Sequence, residues 1–252
     1  MHTAPSPAWG LLFRSSIGRK FLVAGSAAFL AIFALGHTLG NLQVFWGPDP
    51  INRYAYHLQS LPYGILWIIR AVVLGAVLGH LALAVRLHAI NRRSHGRGYR
   101  RERWLSATQA SRSMMLSGAA ILLFLILHIL HFTSRSLSDF SAIAPWPLAS
   151  DGTPTPNVYA MMYQAFSDPL VALLYVGAMA LVALHLSHGV ASLFQSVGWR
   201  NAVWRPRLER IARLYGLFVF LGLSSIPLAV LLDARGGVAI FDRAALVSLN
   251  PR

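Results

Sequence analysis

Long runs of apolar residues alternate along this chain with short segments rich in arginine. Five runs have about the 20 residues that a helix needs to cross about 30 Å of hydrocarbon, and all but the second lack Asp, Glu, Lys and Arg. Helices are favoured because they satisfy their own backbone groups in lipid. The pattern predicts an all-α integral membrane protein, a single domain over residues 1–252, with spans at about residues 21–46, 63–90, 113–132, 169–197 and 214–232.

The basic residues indicate an orientation. They concentrate before the first span, between the second and third spans, and between the fourth and fifth, whereas the two connections on the other side carry only Arg53 and Arg135. By the positive-inside rule, the amino terminus is expected in the cytoplasm and the carboxyl terminus outside, in a bacterial cytoplasmic membrane. The same distribution accounts for the net charge of +14 without a nucleic acid as partner.

The longest connection on the predicted outer side, residues 133–168, contains four prolines and then the string VYAMMYQAF. This string predicts a short interfacial helix, and the whole connection is expected to cap the outer face. Pro227 lies inside the last span, where a kink is expected because proline removes a backbone hydrogen bond.

The chain has no cysteine. This excludes disulfides, thiolate ligation of an iron–sulfur cluster and covalent haem attachment through a CxxCH motif. Any metal must therefore be bound by histidine, methionine or carboxylate side chains.

One histidine lies a few residues past the midpoint of each of the first four spans: His37, His80, His128 and His185. Because alternate spans run in opposite directions, His37 and His128 fall in the outer half of the membrane, and His80 and His185 fall in the inner half. At about 1.5 Å of rise per residue, the two layers are expected on the order of 10 to 15 Å apart.

Two imidazoles in each of two layers predict two stacked b-type haems, held in a bundle of the first four helices. Imidazoles at both axial positions leave no open site on iron, so electron transfer is expected rather than oxygen chemistry. A single buried histidine can also serve as a hydrogen bond between helices. A haem-free, proton-coupled transporter is a further alternative, but such proteins usually show inverted repeats and broken helices, and neither is evident here.

Two spans contain a second histidine one turn further on, His131 after His128 and His188 after His185. Spacing alone does not choose between them, because three residues change the depth by only about 4.5 Å and keep nearly the same face. The histidine of each pair that does not bind iron is expected to bond to a haem propionate, a quinone or a neighbouring helix.

Several strings resemble one known family. They are SSIGRKFLVAGS, GHTLGNLQVFWGP, NRYAYHLQSLP, ASRSMMLSG, LILHILHF, HLSHGVASLFQSVGW and SIPLAVLL. Together they resemble the five-helix dihaem cytochrome b membrane subunit of succinate dehydrogenase and fumarate reductase, over about residues 15–232.

The resemblance implies which histidines bind iron. The ligand in the HxxGN motif of the first span is His37, and the second-span ligand is His80. In the third span the family ligand lies ten residues after the glycine that is here Gly118, which selects His128, and in the fourth span it is His185, the first histidine of HLSHG. The family pairs the first span with the third and the second with the fourth.

The resemblance also implies partners and a reaction within respiratory complex II, which joins the tricarboxylic acid cycle to electron transport. A flavoprotein subunit oxidises succinate to fumarate, an iron–sulfur subunit passes the electrons on, and the membrane subunit delivers them to a quinone, typically menaquinone. Succinate would not react at this subunit, whereas the quinone would. The arginine-rich segments are either a docking face for the soluble subunits or determinants of topology, and further association of whole complexes is left open.

The cytochrome b subunit of a hydrogenase or formate dehydrogenase is a second interpretation from the same chemistry, although the HxxGN and HLSHG contexts argue against it.

Arg70 is expected either to neutralise propionates of the outer haem or to reach the outer surface. Ser111 and Arg112 are expected to contact inner propionates or a quinone head group, or to start the third helix.

The quinone site itself has two candidate locations in the sequence. One is on the inner side, near Ser16 and Arg19, and the other is on the outer side, near His57 and Gln59. No feature of the sequence decides between them.

Overall fold

The computed structural model describes residues 15–94, 114–148, 150–199, 201–242 and 245–246, and it is 78% helical. The elements in chain order are α1 (Ser16–Leu42), a 3₁₀ turn (Gln43–Trp46), α2 (Pro48–Gln59), a second 3₁₀ turn (Pro62–Gly64), α3 (Ile65–Ser94), α4 (Met114–His128), a π-helical turn (Ile129–Thr133), β1 (Trp146–Pro147), β2 (Pro154–Thr155), α5 (Val158–Phe166), α6 (Pro169–Ser196) and α7 (Arg205–Ala234).

Five segments are long and apolar enough to cross a membrane, which confirms the predicted number of spans by length and composition. They are Ile17–Trp46, Pro62–Ile90, Met114–Thr133, Pro169–Ser196 and Arg205–Ala234. The last begins nine residues before the predicted span, inside the arginine-rich segment. Because arginine is a good helix former, the helix extends beyond the apolar window that the prediction used. It also continues through Pro227, which is buried.

Side-chain caps fix where two of these helices begin. The Ser15 hydroxyl accepts a hydrogen bond from the Gly18 amide at 2.9 Å at the start of α1. At the start of α6, the Asp168 carboxylate accepts one from the Leu170 amide at 2.8 Å, and Pro169 occupies the first helical position. Both arrangements satisfy amides that have no partner inside the helix.

The helices pack unequally. Helix α6 packs along α7 most extensively, α1 packs against α3, α6 and α7, and α4 packs against α6. Helices α6 and α7 approach closely at Gly216, where an added Cβ would lie 2.7 Å from the Ala183 carbonyl oxygen. Within the described residues, α1 with α4 and α3 with α6 are not among the closely packed helix pairs.

One end of the helices is covered by a cap, which comprises α2, the antiparallel β1–β2 hairpin, α5, residues 238–242 and residues 245–246. Helix α5 forms where the string VYAMMYQAF predicted a short helix, and most of it is buried. Helix α2 and the hairpin were not predicted. Gly47, with φ +102°, ends the first span, and Pro48 begins α2.

Buried polar side chains fasten the cap to itself and to α7. The amide oxygen of Asn52 accepts a hydrogen bond from the Tyr159 amide at 3.0 Å. The fully buried Asp233 carboxylate accepts hydrogen bonds from the Tyr163 hydroxyl at 3.0 Å and the Phe241 amide at 2.9 Å. Hydrogen bonds to a buried charge are stronger than average, so the segment after α7 is held firmly against α5.

Replacing Gly216 by alanine is expected to destabilise the protein by about 1 to 3 kcal/mol, because the new methyl group forces α6 and α7 apart. Gly177→Ala is the matched control: a Cβ at this position of α6 would meet no atom within 4 Å. Alanine there should be neutral, or stabilising by up to about 1 kcal/mol, because it favours helix. Unfolding in detergent followed by circular dichroism measures both, and equal stability of the two variants would contradict the packing described.

Candidate functional site

His37 and His128, here named the cap-side pair, meet near the cap. His37 lies in the last turns of α1 and His128 is the last residue of α4. Their ring centroids are 5.9 Å apart and the ring planes are nearly perpendicular, at 88°. Two imidazoles that each bind one metal ion at about 2 Å from a ring nitrogen have centroids about 6 Å apart, so the observed spacing fits one shared metal ion.

Aromatic rings surround the cap-side pair. Phe33 stacks on His37 with centroids 5.7 Å apart, and Phe124 and Phe132 lie 5.8 and 5.7 Å from His128. An apolar shell of this kind excludes water, and it lowers the local dielectric constant around anything that the pair binds.

His80 on α3 and His185 on α6, here named the distal pair, have serine partners. The Nδ1 atom of His80 lies 3.0 Å from the Ser26 hydroxyl oxygen, and the Nδ1 atom of His185 lies 3.1 Å from the Ser117 hydroxyl oxygen. In both histidines, the hydrogen bond to serine uses Nδ1.

The two pairs lie at different levels. Ser26 precedes His37 by eleven residues on α1, and Ser117 precedes His128 by eleven residues on α4. Eleven residues are close to three full turns, so each serine shares a helix face with the histidine of the other pair, at a separation of roughly 16 Å. This is slightly more than the layer spacing expected from the sequence.

Within the described residues, the histidines of each pair lie on two helices that are not closely packed against each other. The cap-side pair is on α1 and α4, and the distal pair is on α3 and α6. A Cβ added at Gly36 or Gly79, next in sequence to His37 and His80, would meet no atom within 4 Å.

The structure separates the neighbouring histidines that spacing could not. His131 is buried, and its Nδ1 atom lies 3.0 Å from the Tyr175 hydroxyl on α6, so a neighbouring helix is its partner. His188 contacts Ser192 on its own helix, with its Nε2 atom 3.1 Å from the hydroxyl. Among these histidines, it is His128 that lies against His37.

Of the other predicted site residues, those that the structure describes make no recorded contact with the histidines of either pair. The Arg70 side chain is exposed, with its guanidinium carbon 4.8 Å from the centroid of the Trp67 ring. Ser111 and Arg112 lie outside the described residues. Arg19 is buried near the start of α1, and its Nε atom donates to the Ser15 carbonyl at 3.1 Å.

His57 lines an open groove in the cap with a volume of about 560 Å³. The other lining residues are Gln43, Trp46, Asp49, Pro50, Arg53 and Tyr54. Gln59, the second candidate on this side, is exposed and is not part of the lining. The groove has a size typical of small-molecule sites.

Sequence reasoning missed four residues that contact the histidines: Ser26, Ser117, Tyr175 and Asn41. The two serines could have been identified from the sequence, because each is a polar residue eleven positions before a histidine in an apolar span. The role of Tyr175 carried no comparable signal, since it depends on how α6 faces α4.

No group of three or more His, Cys, Asp or Glu side chains that could hold a metal ion occurs in the described part of the chain. A metal that is already held in a macrocycle needs only two axial ligands, and paired histidines supply two.

Comparison with protein-family models, curated proteins and solved structures gave no match. Only the residues of this chain therefore support a functional assignment.

Tyr175→Phe is expected to lower the free energy of unfolding by about 1 to 3 kcal/mol, because it leaves the buried Nδ1 atom of His131 without its partner. Tyr54→Phe is the control, since its half-buried hydroxyl makes no hydrogen bond to another described residue. Thermal or denaturant unfolding of the purified chain measures the difference. Equal losses in both variants would show that the His131 contact contributes nothing.

Proposed function

We propose that this protein is a dihaem cytochrome b that conducts electrons across a membrane. The observation that supports it best is that four histidines lie at two levels, with the rings of His37 and His128 5.9 Å apart and the Nδ1 atoms of His80 and His185 bonded to serines. His37 and His128 would hold one haem, and His80 and His185 would hold the other. Each haem, when bound, supplies a one-electron redox couple.

The donor set fits this group. Neutral imidazole is a common axial ligand of haem iron, and the chain has no cysteine that could compete for it. Two histidines would hold each haem, and this would leave no position on the metal for a substrate. The role of the four histidines is therefore to bind and orient, and the role of the surrounding helices is to exclude water.

The two levels offer different surroundings. Aromatic rings enclose the cap-side pair, whereas serine hydroxyls contact the distal pair. Burial and hydrogen bonds to axial ligands are both known to tune haem potentials, so we expect the two sites to differ in midpoint potential.

More specifically, we propose that the chain is the membrane subunit of a succinate:quinone oxidoreductase. The sequence strings around the histidines support this assignment, and above all HxxGN at His37 and HLSHG at His185. The partners would be a flavoprotein and an iron–sulfur subunit on the cytoplasmic side, with menaquinone as the electron carrier in the membrane. The amino terminus would then lie inside and the carboxyl terminus outside.

The groove in the cap is the best candidate for the quinone head group. It is lined by Arg53, His57 and Tyr54, whose donors suit a quinone carbonyl oxygen, and by the apolar face of Trp46. This favours the outer of the two locations considered from the sequence.

Removing one ligand of one pair should remove one haem of two. In His80→Ala and in His37→Ala, half of the haem is expected to be lost, whereas His131→Gln and His188→Gln should retain both haems, because these residues have other partners. Haem quantification and a reduced-minus-oxidised spectrum of the purified complex measure this. A colourless wild-type protein would overturn the proposal, and a succinate:quinone assay of the same preparation tests the specific assignment.

Arg70 lies ten residues before His80 on α3, which is about 15 Å along the helix and so near the level of the cap-side pair. If it neutralises propionates there, Arg70→Leu should lower the midpoint potential of that site, because a positive charge favours the reduced form. Arg86→Leu, at an exposed position on the same helix, is the control. Identical midpoint potentials for wild type and Arg70→Leu in a redox titration would contradict this role. The contact with Trp67 would then be what Arg70 contributes.

A further inference from the structure

We propose that Ser26 and Ser117 are positioning residues that set the tautomer of the distal pair, so that His80 and His185 both present Nε2 to the metal. The inference rests on the proposed function for the presence of the metal. The hydrogen bonds of the two serines are observed in the structure.

The single proton of the Ser26 hydroxyl determines which ring nitrogen of His80 is protonated. Its hydroxyl oxygen lies 2.9 Å from the Val23 carbonyl oxygen and 3.0 Å from the Nδ1 atom of His80. A hydroxyl carries one proton, and a carbonyl oxygen can only accept. Both contacts are hydrogen bonds only if the hydroxyl donates to Val23 and accepts from Nδ1. The proton of the His80 ring is therefore on Nδ1, and the lone pair is on Nε2.

The same arrangement recurs at Ser117, on another helix. Its hydroxyl oxygen lies 3.1 Å from the Met114 carbonyl oxygen and 3.1 Å from the Nδ1 atom of His185. The same reasoning puts the ring proton on Nδ1 of His185. Two serines on two helices thus impose one tautomer on the two rings of one pair.

The cap-side pair lacks this arrangement. The Nδ2 atom of Asn41 lies 3.4 Å from Nδ1 of His37, and its shorter hydrogen bond, at 2.7 Å, goes to the His37 carbonyl. The Tyr175 hydroxyl lies 3.5 Å from Nδ1 of His128, and closer to His131. Hydrogen bonds at these longer distances are weak, so the serine effect should be confined to the distal site.

An acceptor on Nδ1 makes an imidazole a more basic ligand, which favours the oxidised form of the metal that it binds. Ser26→Ala and Ser117→Ala remove that acceptor and should make the distal site easier to reduce. We expect the equilibrium constant for its reduction to rise up to about tenfold in the double variant, equivalent to 59 mV for one electron. The cap-side site should keep its potential.

The experiment is a redox titration of the purified complex, followed optically, with the low-spin ferric electron paramagnetic resonance signal as a second measurement. The signal that is lost in His80→Ala identifies the distal site. Ser187→Ala is the matched control, because Ser187 also donates to a carbonyl on α6, that of Leu184 at 2.8 Å, but contacts no histidine ring among the described residues. Ser26→Thr should restore wild-type behaviour, because threonine keeps a hydroxyl that can bond to the helix backbone.

The outcomes separate this inference from the proposed function. A complex without haem defeats the proposed function. A complex with two haems, whose distal potential and resonance signal are the same in wild type, Ser26→Ala and Ser117→Ala, overturns the role of the serines alone. If the distal haem is absent from both Ser26→Ala and Ser26→Thr, removal of the hydroxyl is not the cause of the haem loss, and the inference also fails.

Discussion

An imidazole inside an apolar helix needs partners for its ring nitrogens, and this constraint governs the arrangement of the helices. Unsatisfied polar groups are costly in a setting that offers no water. In the distal pair, serines of α1 and α4 bind one nitrogen of each ring. In the cap-side pair, the rings meet edge to face inside an aromatic shell. Four helices must keep their rotation and depth for both arrangements to exist together.

Helix α7 carries no histidine, yet its contacts help to hold these helices in place. It packs along α6 at Gly216, its Tyr215 hydroxyl donates to the Ala31 carbonyl of α1 at 2.6 Å, and Gly222 lies against Thr38, next to His37. Two of the helices that carry histidines are therefore fixed to a common support from one side.

The sequence predicted the helices well because span length and apolar composition are local properties. It also predicted histidine depth, which follows from counting residues along a helix. It did not predict α2 in the cap, since an amphipathic helix of 12 residues lacks the apolar run of a span. Nor did it predict the partners of the rings. Spacing alone could not choose between His128 and His131, although the family resemblance selected His128, and nothing predicted that Tyr175 lies against His131. Both contacts depend on the rotation of α4 and α6 about their axes.

Serine is well suited to accept a hydrogen bond from an imidazole at membrane depth. An asparagine or glutamine would bring two further N–H donors that need partners, and a carboxylate would bring a charge that is costly to bury. The single donor of serine is satisfied by a carbonyl three residues earlier on its own helix, as at Val23 and Met114. Its oxygen is then left as a pure acceptor. An apolar helix can therefore orient a ring on its neighbour with one small side chain, and it leaves no polar group unpaired in doing so.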